Sequence, residues 1–159
     1  MHPIIDRSDL TWHEKLAFLA HRWAPVTDML VGSCPVKHSF APGMYVREIF
    51  IPAGTIFIGR PHKTGHRIEG VSGRVVLYID GERFEMSGPF MLHTKAGTQI
   101  AAHAITDHVA HTYHANPSEC RNVDECEDAA FESADEVFKL GCAVSQRVQE
   151  LECPASLLQ

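Results

Sequence analysis

Two histidines flank a short glycine-containing connection near the middle of the chain. In the segment His62-Lys-Thr-Gly65-His66, a three-residue connection with glycine in last place is typical of a β-hairpin. Such a turn makes His62 and His66 cross-strand neighbours with Cβ atoms about 5 Å apart. Two imidazoles at that separation can hold one divalent metal, with nitrogen–metal distances of about 2.0–2.1 Å. The spacing therefore predicts a metal site at this turn, and a hydrogen-bonded histidine pair without metal is the alternative.

A third ligand has to come from another strand that faces the same interior. Along the predicted strand 108–114, the side chains of Val109, His111 and Tyr113 share one face. We expect Val109 and Tyr113 to be the buried pair, so that His111 points inward with them. His103, on the neighbouring strand, is the next candidate, and either residue can also be an ordinary core or surface histidine.

Histidine is frequent in this chain, which has 11 of them. Imidazole is the commonest protein ligand for transition metals. A nitrogen-rich set without thiolate suits zinc, iron, nickel, manganese or copper better than magnesium or calcium, so the predicted cofactor is one divalent transition metal. His93 and His108 are interpreted as non-ligands, and His114 is expected near a rim at the end of its strand.

The bulk composition sets limits on the class of protein. The chain has 159 residues, of which 45% are hydrophobic and 21% charged, and this suits one globular unit with a packed core. The net charge of −6 argues against nucleic acid or an anionic membrane as the partner. No apolar run approaches the roughly 20 residues of a membrane span, and the N-terminus lacks the order of a signal peptide. We therefore expect a cytoplasmic protein. The five cysteines contain no Cys-x-x-Cys and are interpreted as reduced thiols.

Short β-type segments with turn residues between them fill the middle of the chain. Their spacing predicts an antiparallel sandwich or barrel, with Asp80-Gly81 as a two-residue hairpin turn. The predicted strands are 44–51, 55–58, 66–71, 74–79, 82–86, 90–94, 98–105 and 108–114, and a further short strand is possible at 29–31.

Helices are predicted at both ends of this β-rich region. A first helix covers 9–23, capped by Ser8 or Asp9 and stopped by Pro25. An acidic helix covers 119–136, and another short one 142–151. The chain thus divides into three parts of one globular unit: an N-terminal helix and irregular lead-in at 1–43, a β-barrel at 44–116, and an acidic helical segment with a tail at 117–159.

The middle of the chain resembles the two conserved motifs of the cupin superfamily. Gly59, His62, His66 and Gly73 carry the first motif, and Ala96-Gly97 precedes the last two strands as in the second. The likeness extends to small single-domain cupins of the phage-associated kind, in which Ile-Pro-Ala-Gly-Thr leads into a His-Lys-Thr-x-His turn. The resemblance covers residues 44–116. It implies an antiparallel jelly-roll barrel, which in many cupins holds iron, manganese, zinc or nickel through three histidines and a glutamate.

This sequence departs from the usual cupin ligand pattern. Arg60 stands at the first position of the usual His-x-His pair, and His62 takes the second. His66 occupies the glutamate position, and Ile100 falls where the histidine of the second motif is usual. A complete site therefore needs a replacement ligand from the two strand histidines at 111 and 103.

Three classes of function remain open at this point. A metal-dependent enzyme, of oxygenase, isomerase or lyase type, would act on a small organic molecule. A non-catalytic barrel would sense or carry a small ligand, and an assembly protein would use the barrel as a scaffold. No catalytic residue is predicted. We expect a homodimer, because an apolar-striped helix and sheet edges need to be covered.

Overall fold

Two compact units make up the part of the chain that the structure describes. This computed structural model describes residues 3–27 and 34–152. Residues 3–27 and 133–152 form a helical unit, and residues 34–132 form a unit with all the described strands. The possible strand at 29–31 lies outside the described residues. The predicted division into three parts of one globular unit stays a prediction.

Nine described strands build two antiparallel sheets in the second unit. The five-stranded sheet has the order β1-β2-β9-β4-β7, and the four-stranded sheet has the order β3-β8-β5-β6. The strands are β1 (Val36–Ala41), β2 (Met44–Ile51), β3 (Ile56–Ile58), β4 (Arg67–Ser72), β5 (Arg74–Ile79), β6 (Glu82–Ser87), β7 (Phe90–His93), β8 (Ile100–Ala104) and β9 (His108–Ala115).

The predicted antiparallel β architecture is confirmed. Every strand pair is antiparallel, and no helix interrupts residues 55–114, all of which are described. The Asp80-Gly81 turn joins β5 to β6 with φ values of 51° and 87°, as a two-residue hairpin of this type requires. The strand β1 is an addition, since its region was predicted to be irregular. Polar residues such as Lys37 and Ser39 interrupt the apolar pattern by which a strand is recognised in the sequence, so this edge strand was not predicted.

The apolar core of this unit lies between the two sheets. Both sheets contribute buried aliphatic side chains, as the period-two alternation of their strands requires. The core residues are Ile49, Ile51, Val75, Leu77, Ala102, Ala104 and Ala110.

The first helix, α1 (Trp12–Thr27), is capped differently from the prediction. Thr11 caps it, because the Thr11 backbone N–H donates to Glu14 Oε2 at 2.8 Å and the Glu14 N–H donates to Thr11 Oγ1 at 3.2 Å. This reciprocal pair is a capping box, and it replaces the caps predicted at Ser8 and Asp9. The helix also passes through Pro25, which was predicted to stop it.

The acidic segment forms two helices instead of the predicted single one. Helix α2 (Val123–Ala130) begins at the N-cap Asn122, whose side chain accepts from two backbone N–H groups. It ends at Phe131, which is extended with φ −123°. Helix α3 (Ala134–Glu152) follows and continues through Gly141. The apolar spacing that predicted one helix spans a break of three residues, 131–133, which periodicity alone does not detect.

Helices α1 and α3 pack closely within the helical unit. A Cβ added at Gly141 would lie 2.3 Å from the Ala17 carbonyl oxygen, so the two backbones meet at this point. Ser145 Oγ lies 3.1 Å from His21 Nδ1, and Arg147 pairs with the Glu14 carboxylate at 2.8 Å. No helix within the described residues is long and apolar enough to cross a membrane.

Replacing Ile51 by alanine tests the core between the sheets. The Ile51 side chain is 3% exposed, so we expect Ile51→Ala to lower the free energy of unfolding by roughly 2–5 kcal/mol, from lost burial and the cavity left behind. Ile56 is 55% exposed, and Ile56→Ala is the matched control with an effect within about 0.5 kcal/mol. Urea unfolding at pH 7.5 measures both, and equal effects would contradict this description of the core.

Candidate metal and ligand site

Three buried imidazoles stack on one another in the second unit, and we call them the histidine cluster. They belong to His62, His66 and His114, whose side chains are 7%, 6% and 4% exposed. The rings of His62 and His66 have centroids 3.6 Å apart and planes 19° apart. The ring of His114 lies 5.5 Å from that of His62 and 5.2 Å from that of His66.

The connection that carries His62 and His66 runs from one sheet to the other and is not the predicted hairpin. It leaves β3 in the four-stranded sheet and enters β4 in the five-stranded sheet. The His62 N–H donates to the Thr98 carbonyl at 3.2 Å, and the Thr94 N–H donates to the His66 carbonyl at 2.9 Å. Both histidines are thus anchored to the segment 94–98, and this shared anchor brings their rings together.

The predicted three-residue hairpin would need Gly65 in a left-handed conformation, but Gly65 serves this connection in another way. It does not adopt a left-handed conformation, unlike five other described glycines. A Cβ at this position would lie 2.9 Å from the Thr94 carbonyl oxygen. Glycine is therefore required for close approach of two backbones between the histidines.

His114, and not His111, is the strand histidine that joins the pair. The inward side chains of β9 are those at alternate positions His108, Ala110 and Thr112, which line the cavity described below. His114 continues that series, since side chains in a strand alternate between faces. The expectation that Val109 and Tyr113 are the inward pair is wrong, and His111 lies on the opposite face with them.

His111 is engaged in a separate network on that opposite face. Its Nε2 lies 3.0 Å from Glu48 Oε2, and its Nδ1 lies 3.3 Å from the Tyr113 hydroxyl. The Tyr113 hydroxyl also donates to the Glu69 carboxylate. His103 is likewise not brought to the pair: it is half-buried on β8 and alternates with Ala102, which lines the cavity.

Burial keeps the three clustered imidazoles neutral. Desolvation lowers the pKa of His62 to about 2, with repulsion from His66 and His114 as the next causes. Desolvation also lowers the pKa of His66 to about 4. It lowers the pKa of His114 to about 4 as well, with added repulsion from His66 and the Arg47 guanidinium. Neutral imidazole is the form that binds a metal.

Several nitrogens of the cluster lack a hydrogen-bond partner among the described residues. They are Nδ1 and Nε2 of His62, Nε2 of His66 and Nδ1 of His114, all buried. The other nitrogens of two rings meet hydroxyl groups: His66 Nδ1 lies 2.7 Å from Thr94 Oγ1, and His114 Nε2 lies 3.2 Å from Thr112 Oγ1. Unpartnered buried nitrogens are costly, so the cluster is suited to a bound group that supplies the missing interactions.

The histidine cluster has donor atoms that suit a metal ion, but its ring orientations do not. Three neutral imidazoles with free nitrogens are a donor set that transition metals prefer. The lone pairs lie in the ring planes, however, and stacked planes do not converge on one point. As the side chains stand, no group of three or more His, Cys, Asp and Glu within the described residues is arranged to hold a metal. Binding therefore requires the imidazole rings to turn about their side-chain torsions.

Phe131 covers the histidine cluster, and two arginines cover Phe131. The ring centroids of Phe131 and His62 are 4.5 Å apart, and Phe131 is only 4% exposed. The guanidinium carbons of Arg47 and Arg60 lie 4.8 Å and 4.7 Å from the centre of the Phe131 ring. Both guanidinium groups pair with the Glu127 carboxylate, at 3.0 Å and 2.8 Å. Sequence reasoning missed this arrangement, because it assigned Phe131 to the apolar stripe of a helix.

A cavity of about 240 Å³ extends from this region into the space between the sheets. His62, Arg47, Arg60 and Phe131 line one part of it. Most of the remaining wall is aliphatic or aromatic, as in Ile49, Ile68, Leu77, Phe90 and Ala102. An apolar cavity with a few polar groups is typical of a small-molecule site, and this one lies below the usual range of about 300–1,000 Å³.

Comparison with known proteins supports the fold. The sequence matches no family model and no curated protein. The structure is similar to salicylate 1,2-dioxygenase from Pseudoaminobacter salicylatoxidans, with a TM-score of 0.51 and 11% sequence identity, over 72% of this chain and 33% of the dioxygenase. It is also similar to the Cupin_2 domain of an XRE family transcriptional regulator from Enterobacter cloacae, with a TM-score of 0.47 and 17% identity, over 54% of this chain and 98% of that domain.

The likeness to the dioxygenase, together with the two antiparallel sheets, supports a cupin-like fold. The resemblance to cupins seen in the sequence motifs is confirmed at the level of the fold alone. The chain spans about a third of the length of the dioxygenase, at low identity, so that likeness does not extend to activity. The likeness to phage-associated cupins stays a prediction.

The buried histidines predict a loss of stability in mild acid. The folded-state pKa values lie below about 6.5, the value expected in the unfolded chain, so the unfolded state binds more protons as the pH falls from 6.5 towards 4. In metal-free protein, protonation of each of the three histidines in the unfolded state should lower the free energy of unfolding by about 1 kcal/mol when the pH falls from 7.5 to 5.5. Urea unfolding at the two pH values measures the difference.

Single substitutions assign that pH dependence to the cluster. His114→Phe keeps an aromatic ring in the stack, and we expect it to reduce the difference between the two pH values by about 1 kcal/mol. His93→Gln, at an exposed position on β7, is the control and should leave the difference unchanged. An unchanged difference in His114→Phe would show that His114 is not held neutral by burial.

Proposed function

We propose that this protein binds one divalent transition metal through His62, His66 and His114, beside a cavity that accepts a small organic molecule. The observation that carries the proposal is the set of four buried imidazole nitrogens without partners in one cluster. A metal ion satisfies such nitrogens and needs the imidazoles neutral, as burial keeps them. Three protein ligands leave coordination positions open, as in catalytic metal sites.

The contacts around the cluster support the same proposal. Imidazoles that bind metals usually hydrogen-bond through the other ring nitrogen, which sets the tautomer and the ring direction. Thr94 Oγ1 meets Nδ1 of His66, and Thr112 Oγ1 meets Nε2 of His114. A hydroxyl group can follow a ring that turns to bind an ion, so these two contacts leave Nε2 of His66 and Nδ1 of His114 for a ligand. When bound, a transition ion there would supply Lewis-acid or oxygen chemistry to a molecule in the cavity.

A small-ligand-binding protein without catalysis is the second candidate. It is favoured by the cavity of about 240 Å³, which is mainly apolar and needs no metal to hold a small molecule. In that case the histidine cluster is a neutral polar part of the cavity wall. The metal content of the protein separates the two candidates.

Metal analysis of untagged protein tests the first candidate. For protein expressed with added zinc, iron, nickel and manganese and never exposed to chelator, we expect close to one equivalent of a transition metal per chain. His62→Ala, His66→Ala and His114→Ala should each lower it below about a tenth of an equivalent, because two imidazoles bind weakly. Mass spectrometry of the metals and circular dichroism of each variant give metal content and folding.

The control variants distinguish the cluster from the other strand histidines. His111→Ala and His103→Ala should retain the metal, since neither ring meets the cluster. Loss of metal in His111→Ala with retention in His114→Ala would support the assignment made from the sequence pattern instead. Wild-type protein with under about a tenth of an equivalent of any transition metal would leave the non-catalytic binding protein as the better candidate.

The low pKa values also predict how metal binding depends on pH. Ordinary imidazoles begin to bind protons near pH 6.5 and lose metal affinity below it. Because burial lowers the pKa of His66 and His114 to about 4, we expect zinc affinity to change by less than about threefold between pH 7.5 and 5.5. Equilibrium dialysis against zinc measures it, and a hundredfold fall across this range would contradict the low pKa values.

A further inference from the structure

The cavity has two polar ends separated by an apolar middle. Strands β2 and β9 pair in register, and their inward residues form three successive rows along the cavity. The first row is Arg47 with Thr112. The row that contains His108 lies four residues further along the strands. Four residues in a strand span about 13 Å, so these rows lie at opposite ends. Between them, aliphatic side chains line the wall.

The first end carries an excess of positive charge. Arg47 and Arg60 share the single Glu127 carboxylate, so these three side chains together have a net charge of +1. A guanidinium has five N–H donors in a planar fork, and Glu127 engages one nitrogen of each. The Arg47 and Arg60 side chains are only 17% and 30% exposed, so water screens their charge incompletely. This end is suited to one further carboxylate group.

The opposite end presents one buried hydrogen-bonding atom. His108 is 2% exposed, lines the cavity, and packs at 6.0 Å against the ring of Phe90. Its Nδ1 is buried and has no hydrogen-bond partner among the described residues. A buried imidazole nitrogen without a partner is unfavourable, so a polar group of a bound molecule would stabilise it.

We propose that the cavity binds a small monocarboxylate with an apolar body and a polar group at its far end. The carboxylate lies at Arg47 and Arg60, and the far polar group meets Nδ1 of His108. This inference deepens the proposed function by naming the ligand class, and it rests on that function for the ligand's place beside the histidine cluster. His108 then determines specificity for the far end of the molecule.

The cavity volume sets the size of the probes. A volume of about 240 Å³ equals that of about eight liquid water molecules at roughly 30 Å³ each. Hexanoate and 6-hydroxyhexanoate, with eight and nine non-hydrogen atoms, are of this order. The neutral alcohol 1-hexanol has a similar apolar body and no carboxylate, so it measures the contribution of the apolar wall alone.

Titration calorimetry of the full chain with the three probes tests the proposal. We expect 6-hydroxyhexanoate to bind at least about threefold more tightly than hexanoate, and hexanoate at least about tenfold more tightly than 1-hexanol. Raising the salt concentration should weaken the two carboxylates and leave 1-hexanol unchanged. Equal affinity of hexanoate and 1-hexanol, or no binding of hexanoate at 10 mM, would overturn the proposal.

Charge variants distinguish the first end of the cavity, with Arg47 and Arg60, from general surface charge. Arg47→Gln or Arg60→Gln should weaken hexanoate binding about tenfold, and Glu127→Gln should strengthen it because the carboxylate no longer competes. Arg74→Gln is the matched control, since Arg74 also pairs with a glutamate, Glu85 at 2.8 Å, but is not among the cavity residues. Weakening in Arg74→Gln equal to that in Arg47→Gln would show non-specific attraction and overturn the assignment.

A His108 variant and the metal content complete the test. His108→Phe should remove the preference for 6-hydroxyhexanoate over hexanoate, and a retained preference would overturn the role of His108. The titrations are made on zinc-loaded and on chelator-treated protein. Normal metal content with no carboxylate binding would reject this inference alone, and carboxylate binding without stoichiometric metal would reject only the proposed metal site.

Discussion

The removal of three imidazoles from water is the constraint on which the candidate site depends. His62, His66 and His114 lie in contact in a space where a positive charge on any of them is strongly disfavoured, and each carries nitrogens that require partners. The fold meets part of this requirement with the hydroxyl groups of Thr94 and Thr112. The nitrogens that remain give the cluster its capacity to bind, because the energetic cost of leaving them unsatisfied is recovered when a ligand binds.

The cover of the cluster acts electrostatically as well as sterically. Phe131 keeps water from the rings, while Arg47 and Arg60 lie against its ring and share the carboxylate of Glu127. The Arg47 charge lowers the pKa of His62 and of His114 further, so the positive charge at this end of the cavity favours neutral imidazoles. A negatively charged ligand beside Arg47 would reduce this repulsion, which links occupancy of the cavity to the protonation of the cluster.

Most of the strand pattern could be predicted for local reasons, and two of the three members of the histidine cluster were also predicted. Turn residues such as Asp80-Gly81 and Pro52-Ala-Gly54 separate short β-type segments, so eight of the nine described strands follow from the chain itself. His62 and His66 come together as predicted, although by another route. The connection crosses between the sheets, and both histidines bind the backbone of the segment 94–98, a long-range contact that no local spacing contains.

The third member of the cluster shows the limit of strand periodicity. Alternation along β9 allows two opposite assignments, and Val109 with Tyr113 offered a more apolar face than Ala110 with Thr112. The structure has the second set inward, where Ala110 and Thr112 line the cavity between the sheets. His111 instead finds carboxylate and hydroxyl partners on the other face.

The amino-acid sequence by itself determined the antiparallel β architecture and the hairpin at Asp80-Gly81, because these depend on side-chain period and turn chemistry within short segments. Only the tertiary structure decided which face of β9 is inward, how His62 and His66 meet, that His114 completes the cluster, and that Phe131 and two arginines cover it. These features depend on which distant segments share a buried volume. That choice is made by packing and desolvation over the whole unit and not by the residues nearest in the chain.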